Sequence, residues 1–514
     1  MRVQFQLVPL LPKLAWLAEV NLDEMTASVR HGQYVEVRSG FFIEGVWNGP
    51  FAKGDFGRTE AVFGSGGIVS GAGILFVSSS STTDSLFHAR TGARLTVSNS
   101  LPFLLAGIGD RLAPSFTGYD RCNESIMLGI NRYIREIPTS RGTVCRLMYR
   151  NLLVTRDGIT EIDKPMPPPF RSFSDYSSYL AHNLKLILTN ARDADRATPM
   201  EILSTQSRGY DSTAVNALVA PFGVDKVFTV RQGKGRDVWA DADEAIQVDD
   251  DGTAICRALA LPCVPIDRRA FERGFEDEHL FCAGVHNNGD ANFKEVFQHV
   301  RDVAILLTGC LGETWYVVDT YSKDRSKEIS PDLTRWDLGN HGLGEVRLQV
   351  GFVQVAPAYI GGRRREEIFR ITESDEMMPW RLGTAYDRPI PRRIAEQAGV
   401  PRDLFGQVKM ASTVEFALPR IPYGKDLRRE YFDFLVTNGL LSRWATLSHR
   451  LVHRINAIVH FATPRRYRAI YYLERAISRL LGREYRFPLI WQRLAGSIFC
   501  FCVNKRIKAY QSRV

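Results

Sequence analysis

Apolar positions divide the chain into two regimes. Over residues 1–163, short runs alternate apolar and polar residues between Gly-, Ser- and Thr-rich turns, the period of half-buried strands. "LFHARTGARLTVSN" predicts two strands about a turn at Thr91-Gly92, and "TVCRLMYRNLLVTRDGITEI" a further hairpin. Residues 164–172 hold four prolines between Lys164 and Phe170 and predict a stiff linker. Beyond it the period lengthens. In "SDYSSYLAHNLKLILTNARD", Tyr176, Leu180, Leu184, Ile187, Leu188 and Ala191 share one helical stripe, with Ser174 available as N-cap. The strand-like runs "MEILST", "KVFTVR", "CVPIDR" and "VAILLTG" then alternate with helical patterns such as "STAVNALVA" and "TAICRALAL". That alternation predicts βαβ units and a parallel sheet over 173–430, mostly helical from Leu338 to Pro422. Residues 431–514 read as a helical tail, in which Trp444, Leu447, Leu451, Ile455 and Val459 oppose Arg443, Arg450 and Arg454.

Composition and charge constrain this picture further. With 514 residues and 45 % apolar content, two or three domains with sizeable cores are expected. The longest apolar runs fall short of the ~20 residues of a membrane span, and Pro9, Pro12 and Lys13 interrupt the apolar start in a way that suits a buried segment better than a signal peptide. Eight cysteines without regular spacing predict reduced thiols and a cytoplasmic setting, and Cys500-x-Cys502 reads as core packing. Charge is uneven. From Leu441 to Val514 there are 15 Lys or Arg against Glu474 and Glu484, so the rest of this +9 chain is net negative. His449 and His453, at i and i+4 in that tail, have no acidic companion and read as part of a basic face.

The densest chemistry lies in "STQSRGYDST", residues 204–213. A strand ends here and a helix begins, so the helix N-terminus offers unpaired N–H groups and a positive dipole. Gly209 permits close backbone approach to an anion, while Ser207 and Ser212 add hydroxyl donors. Asp211 would repel an anion unless a cation such as Mg²⁺ bridged them. The plainer alternative makes Asp211 or Ser212 the helix N-cap. Likewise "DDDG", 249–252, is either a capped turn or an acid beside the same site.

"SRGYDS" resembles the S-G-G-x-D-S pyrophosphate loop of the asparagine synthetase family, with Arg208 in place of the first glycine. Three later stretches resemble that family's segments in order. "AILLTGCLGETWY" aligns Gly309 and places Glu313 where an acidic Mg²⁺ ligand is expected; the usual Asp-Glu pair is reduced to Glu313-Thr314. "LGEVRLQVGF" supplies Glu345 and Arg347, without the family's Pro and terminal Asp. "YDRPIPRRIAEQAGVPRDLFGQVKMAS" contains Lys409 at the place of a transition-state lysine. The resemblance implies ATP and Mg²⁺ as cofactors. Ser207, Arg208, Gly209, Asp211, Ser212 and Gly309 would hold nucleotide, Asp211 and Glu313 the metal, and Lys409 the charge that develops during adenylation. Glu345 would orient or deprotonate the nitrogen nucleophile. Arg208 is expected to clamp phosphate.

Residues 1–163 resemble, more weakly, the family's class II glutamine amidotransferase domain, an αββα sandwich. That domain needs a cysteine after the initiator Met; here Arg2 stands there and the first cysteine is Cys122. The expected fold is therefore α/β: a degenerate amidotransferase-like sandwich followed by a Rossmann-like synthetase domain and a helical tail. The implied activity joins a small-molecule or peptide carboxylate to ammonia or an amine through AMP formation, without glutamine hydrolysis, as in the family's β-lactam and lasso-peptide synthetases. Two readings stay open beside it, a catalytically degenerate nucleotide-binding scaffold and an RNA-directed adenylating enzyme. The basic tail suits packing within the chain, a homodimer contact, a carrier protein or an anionic membrane surface; nucleic acid ranks last among its partners.

Overall fold

The fold is described from a computed structural model covering the chain except residues 231, 236–246, 316–331, 385, 408–409, 412–420, 443–475, 483–493, 495 and 514. Lys409, the tail stripe from Trp444 to Val459, and His449 and His453 lie outside the described residues. The protein is mixed α/β.

Two sheets face each other in the first 163 residues. One has seven strands, in which Arg2–Leu7 pairs parallel with Thr26–His31 and the remaining neighbours run antiparallel; the other has six, all antiparallel. Trp16, Phe42, Phe76, Leu95, Val97 and Leu152 fill the space between, with the rings of Trp16 and Phe76 stacked at 6.0 Å. The Leu86–Thr91 and Arg94–Ser98 hairpin forms as its pattern predicts, turning at Gly92 in the left-handed region. The later segment differs from expectation. Thr143–Leu147 joins the seven-stranded sheet, while Arg150–Thr155 and Gly158–Asp163 form their hairpin in the other. Tyr149, at φ 63°, makes the corner between them.

The second region is built on a five-stranded parallel sheet of β1 (Glu201–Gln206), β2 (Lys226–Val230), β3 (Cys263–Ile266), β4 (Ala304–Leu307) and β5 (Phe352–Val355), in the order β3-β2-β1-β4-β5. Successive residues enter different cores. Ile202, Val227, Ile305 and Val353 join one hydrophobic cluster, and Leu203, Phe228, Leu306 and Phe352 another. Both faces are thus covered, which is why these strands read as continuous apolar runs. Strand β5 interrupts the helical stretch expected from Leu338 to Pro422. At four residues, directly after a helical turn at Gly351, its run was too short for period to distinguish.

The helices used below are α1 (Phe173–Ala191), α2 (Tyr210–Val219), α3 (Thr253–Ala258), α4 (Glu278–Gly284), α5 (Leu343–Val350), α6 (Arg365–Glu373), α7 (Pro389–Gln397), α8 (Lys425–Thr437) and α9 (Ser497–Gln511). The predicted stripe of α1 is buried at all six positions. Its cap is Ser172, not Ser174, in a reciprocal capping box with Asp175.

The proline-rich segment is strapped down rather than loose. Lys164, buried, donates to Ser78 O (2.7 Å) and Asn151 Oδ1 (3.0 Å). Arg364 Nε donates to Pro167 O at 3.0 Å, and Phe170 N to Glu367 Oε2 of α6 at 2.7 Å. One hydrophobic cluster runs from Leu14, Val46 and Phe63 of the front region into α1, α2 and the parallel sheet. At the same seam Arg347 of α5, 2 % exposed, donates to Glu44 (2.7 and 3.1 Å) and Asp84 (2.6 Å).

The described end of the tail packs inward. In α9, Phe499, Cys500, Cys502 and Val503 are buried, and Tyr510 stacks on Phe103 with ring centroids 4.7 Å apart. All eight cysteines are free thiols. None of the described helices is long and apolar enough to cross a membrane.

One buried acid ties α4 to the turn before α8. Glu278, fully buried, accepts from Tyr423 N (2.6 Å), Gly424 N (2.8 Å) and Asn288 Nδ2 (2.6 Å). Burial outweighs these donors and pushes its carboxyl up to about 7. Its folded pKa then exceeds the unfolded one, so the folded state holds the extra proton between roughly pH 4.5 and 7, and stability contributed by this group falls as pH rises through that window. Glu278→Gln should remove that slope, up to about 1.4 kcal/mol per pH unit. Urea melts at pH 5, 6 and 7 that run parallel in wild type and variant would contradict it.

Candidate functional site

The segment 207–212 links the carboxyl end of β1 to α2. Strand β1 is the centre of the sheet, with β2 on one side and β4 on the other. Connections leave in opposite directions at that point, the place where open α/β sheets form a ligand crevice.

Side chains lock the segment into shape. Gln206 Nε2 donates to Ser207 O (2.6 Å) and Thr213 Oγ1 (2.9 Å), and Asn216 Nδ2 donates to Thr205 O (2.9 Å) and Gln206 Oε1 (2.7 Å). Ser207 Oγ and Ser212 Oγ lie 2.8 Å apart, and Ser207 Oγ accepts from Gly209 N at 3.1 Å. The helix begins with Gly209 as N-cap, and no side chain caps it. Neither Asp211 nor Ser212 therefore plays the plain capping role, and a helix start without a side-chain cap leaves first-turn amides for another acceptor.

A second loop closes on the first. Gly309 and Gly312 follow β4 and press against the start of α2. A methyl on Gly309 would sit 2.9 Å from Ser212 N, and one on Gly312 2.1 Å from Asp211 Cγ, so both positions require glycine. Between them, buried Leu311 takes the left-handed φ of 62°, a conformation of the kind concentrated at functional sites. Glu313 follows, and burial raises its carboxyl above the ordinary range, with Asp337 and Asp211 adding repulsion against the pull of Arg335.

Asp250, almost completely buried, accepts from Arg208 N at 2.8 Å, while Asp251 Oδ1 accepts from Thr253 N at 2.8 Å at the start of α3. Both sequence readings of the "DDDG" turn thus have a residue, one acid at the loop and one at the helix start. Arg208 Nε donates to Leu404 O at 3.2 Å, and Gly406 N returns a bond to Arg208 O at 2.8 Å.

The cation facing Asp211 is an arginine. Arg388, 4 % exposed, donates through Nη1 to Asp211 Oδ2 (2.9 Å) and Oδ1 (3.1 Å), with its guanidinium 4.6 Å from the Tyr386 ring centroid. One turn along α7, fully buried Arg392 donates to the Tyr210 hydroxyl and lies 4.9 Å from that ring's centroid. These arginines stand in the stretch singled out for Lys409. Their i, i+4 spacing at the start of a helix was the available signal, but nothing local says that they reach α2, 177 residues away in the chain.

No protein-family model matches the chain, and no curated protein does. The site rests on its own geometry.

The structure brings together Ser207, Arg208, Gly209, Asp211, Ser212 and Gly309, with Glu313 near enough to Asp211 to feel its charge. Glu345 belongs to a different network. Its carboxylate accepts from Ser100 Oγ (2.5 Å) and Tyr510 OH (3.2 Å) and lies 3.8 Å from Arg506 Nε, which ties α5 to the front region and to α9. A polyphosphate suits the open amides, hydroxyls and arginines of the crevice. Magnesium does not suit the arrangement as it stands. Both Asp211 oxygens are engaged by Arg388, and no cluster of three metal-ligating side chains occurs among the described residues.

Proposed function

We propose that the chain is an ATP-dependent, AMP-forming amide ligase resembling asparagine synthetase, active without glutamine hydrolysis. The observation that carries this reading is the placement of the Ser207–Ser212 segment at the carboxyl end of the central parallel strand, where the strand order reverses. A Rossmann-like sheet binds nucleotides at that point. The facing front sheets support an amidotransferase-like αββα sandwich, and glutamine hydrolysis is left out of the reading because Arg2, which is exposed, stands where that domain's cysteine is expected.

In this reading the triphosphate of ATP lies on the first-turn amides of α2, with Ser207 and Ser212 donating to its oxygens. Arg388 holds Asp211 neutralised, so that the carboxylate does not repel the nucleotide. A small-molecule or peptide carboxylate attacks the α-phosphorus, pyrophosphate leaves, and ammonia or an amine takes the acyl group. Lys409 is assigned the charge that develops at phosphorus. Glu345 is assigned a positioning role across the seam instead of a base, because its oxygens already have partners. The magnesium expected at Asp211 and Glu313 would have to displace Arg388. Eight free thiols suit a cytoplasmic setting.

The same Arg388–Asp211 pair favours a second reading, a nucleotide-binding scaffold in which arginine permanently closes the metal position. Pyrophosphate exchange into ATP separates the two. The ligase gives exchange that depends on an added carboxylate, and Lys409→Ala lowers it by roughly 10²–10³ with ATP still bound. ATP binding with no exchange across a panel of amino and keto acids favours the scaffold.

A further inference from the structure

A cavity of about 50 Å³ lies in the seam between the front sheets and the second region, lined among others by Asp84, Asn123, Arg146, His341, Glu345 and Arg347. A water needs roughly 10–15 Å³ on this measure and a benzene-binding cavity offers about 150 Å³, so the space suits a molecule of a few heavy atoms and no ring system. Its lining mixes apolar side chains such as Leu101, Ile126 and Phe499 with charged ones, and most of the charges are matched. Arg347 is held by Glu44 and Asp84, and Glu345 lies 3.8 Å from Arg506. His341 is kept neutral by burial and by neighbouring Arg335 and Arg146, and its Nε2 accepts from Arg335 at 2.8 Å.

Arg146 is the exception. It is 3 % exposed, and its hydrogen bonds among the described residues go to neutral acceptors: Cys122 O (2.6 Å), Ile134 O (2.8 Å) and Asn123 Oδ1 (3.4 Å). Burial brings the guanidinium down to about 10, still protonated at neutral pH, and the neighbours that act on it are the thiols of Cys122 and Cys145 and the Tyr133 phenol, with no carboxylate among them. A buried cation without a counter-charge costs several kcal/mol. Two buried donors, Arg146 Nε and Asn123 Nδ2, and one buried acceptor, Asp84 Oδ2, have no hydrogen-bond partner among the described residues. Such groups are normally satisfied by water or ligand.

We propose that this seam cavity binds one compact monovalent oxyanion, a bicarbonate or a short carboxylate of formate size, with Arg146 and Asn123 as its donors. The anion supplies the missing counter-charge, and two oxygens accept from the two idle donors. Asp84 Oδ2 adds a preference. Bicarbonate has a hydroxyl to donate there, and formate does not. This site is separate from the crevice at α2 and does not depend on the nucleotide reading.

The test is thermal unfolding of the full-length protein in carbon-dioxide-depleted buffer, titrated with bicarbonate or formate while gluconate holds the ionic strength. A saturable rise in Tm is expected, growing with the logarithm of concentration above half-saturation. A lower half-saturating concentration for bicarbonate assigns the Asp84 contact; an equal response assigns the oxyanion class alone. Asn123→Leu should raise that concentration at least tenfold, and Arg146→Gln should abolish the saturable response. Should Arg146→Gln fail to fold, Asn123→Leu decides by itself. No saturable rise with either anion, an equal rise with urea, or an unchanged half-saturation in Asn123→Leu would overturn the proposal.

Discussion

Arg347→Met should cost about 3–5 kcal/mol of unfolding free energy, the largest effect expected of any single substitution at the seam. The arginine is 2 % exposed, Glu44 0 % and Asp84 5 %, so removing it leaves two buried carboxylates without their shared cation. Ser65 Oγ and Asn99 Nδ2 still donate to Glu44, at 2.7 and 3.1 Å, but neither carries charge. Burial already raises the Glu44 carboxyl, with Arg347 pulling the other way and Asp84 adding repulsion. Without the arginine the folded-state pKa rises further above the unfolded value, so the variant binds protons on folding. Its penalty must then shrink as pH falls toward that of free carboxyls and grow above it. Guanidinium melts at pH 5 and pH 8 check both magnitude and slope. Adding Glu44→Gln and Asp84→Asn to the variant should recover part of the loss, because no buried charge then remains unpaired. A penalty below about 1 kcal/mol, or one equal at the two pH values, contradicts the role given to the triad.

Arg388→Met should weaken ATP binding by roughly 10- to 100-fold in the absence of divalent metal. The guanidinium neutralises Asp211 at the mouth of the amide cradle. Two like charges 4 Å apart at an effective dielectric of 20 repel by about 4 kcal/mol, and the Asp211 side chain, 21 % exposed, feels less than that. A loss of 1.4–2.8 kcal/mol corresponds to that range of affinity. Calorimetric titration of ATP into wild type, Arg388→Met and Arg388→Met/Asp211→Asn checks it, and the double variant should regain most of the affinity. Magnesium offers a second comparison. If the arginine serves as resident counter-cation, added Mg²⁺ helps the single variant far more than wild type. Tighter ATP binding by Arg388→Met, in either condition, would mean that the arginine plugs the site.

Local chemistry and long-range chemistry differed in how far they could be read from the chain. The α1 stripe, the Gly92 hairpin and four of the five parallel strands follow from periods of 3.6 and 2 and from turn residues, which act within a dozen positions. The loop after β1 was conspicuous because its hydroxyls, glycine and acid are contiguous. Its supports were not. Gln206, Thr213 and Asn216 look like ordinary polar residues until the helix folds them back onto the loop. Arg388 and Arg392 reach the site only through packing of α7 against α2. Glu345, expected to serve the nitrogen nucleophile, and Arg347, two residues on, instead give their carboxylate and guanidinium to the seam. Their nearest charged partners come from Glu44, Asp84 and Arg506, each more than 150 residues distant in the chain.

The reading as a whole depends on phosphate binding at one turn of backbone. A crystal structure of the full-length protein with a non-hydrolysable ATP analogue measures this directly. Phosphate density against the amides of Tyr210 to Ser212, within hydrogen-bond reach of Ser207 and Ser212, is the predicted result. An empty turn at saturating analogue, with the nucleotide bound elsewhere or not at all, would contradict it.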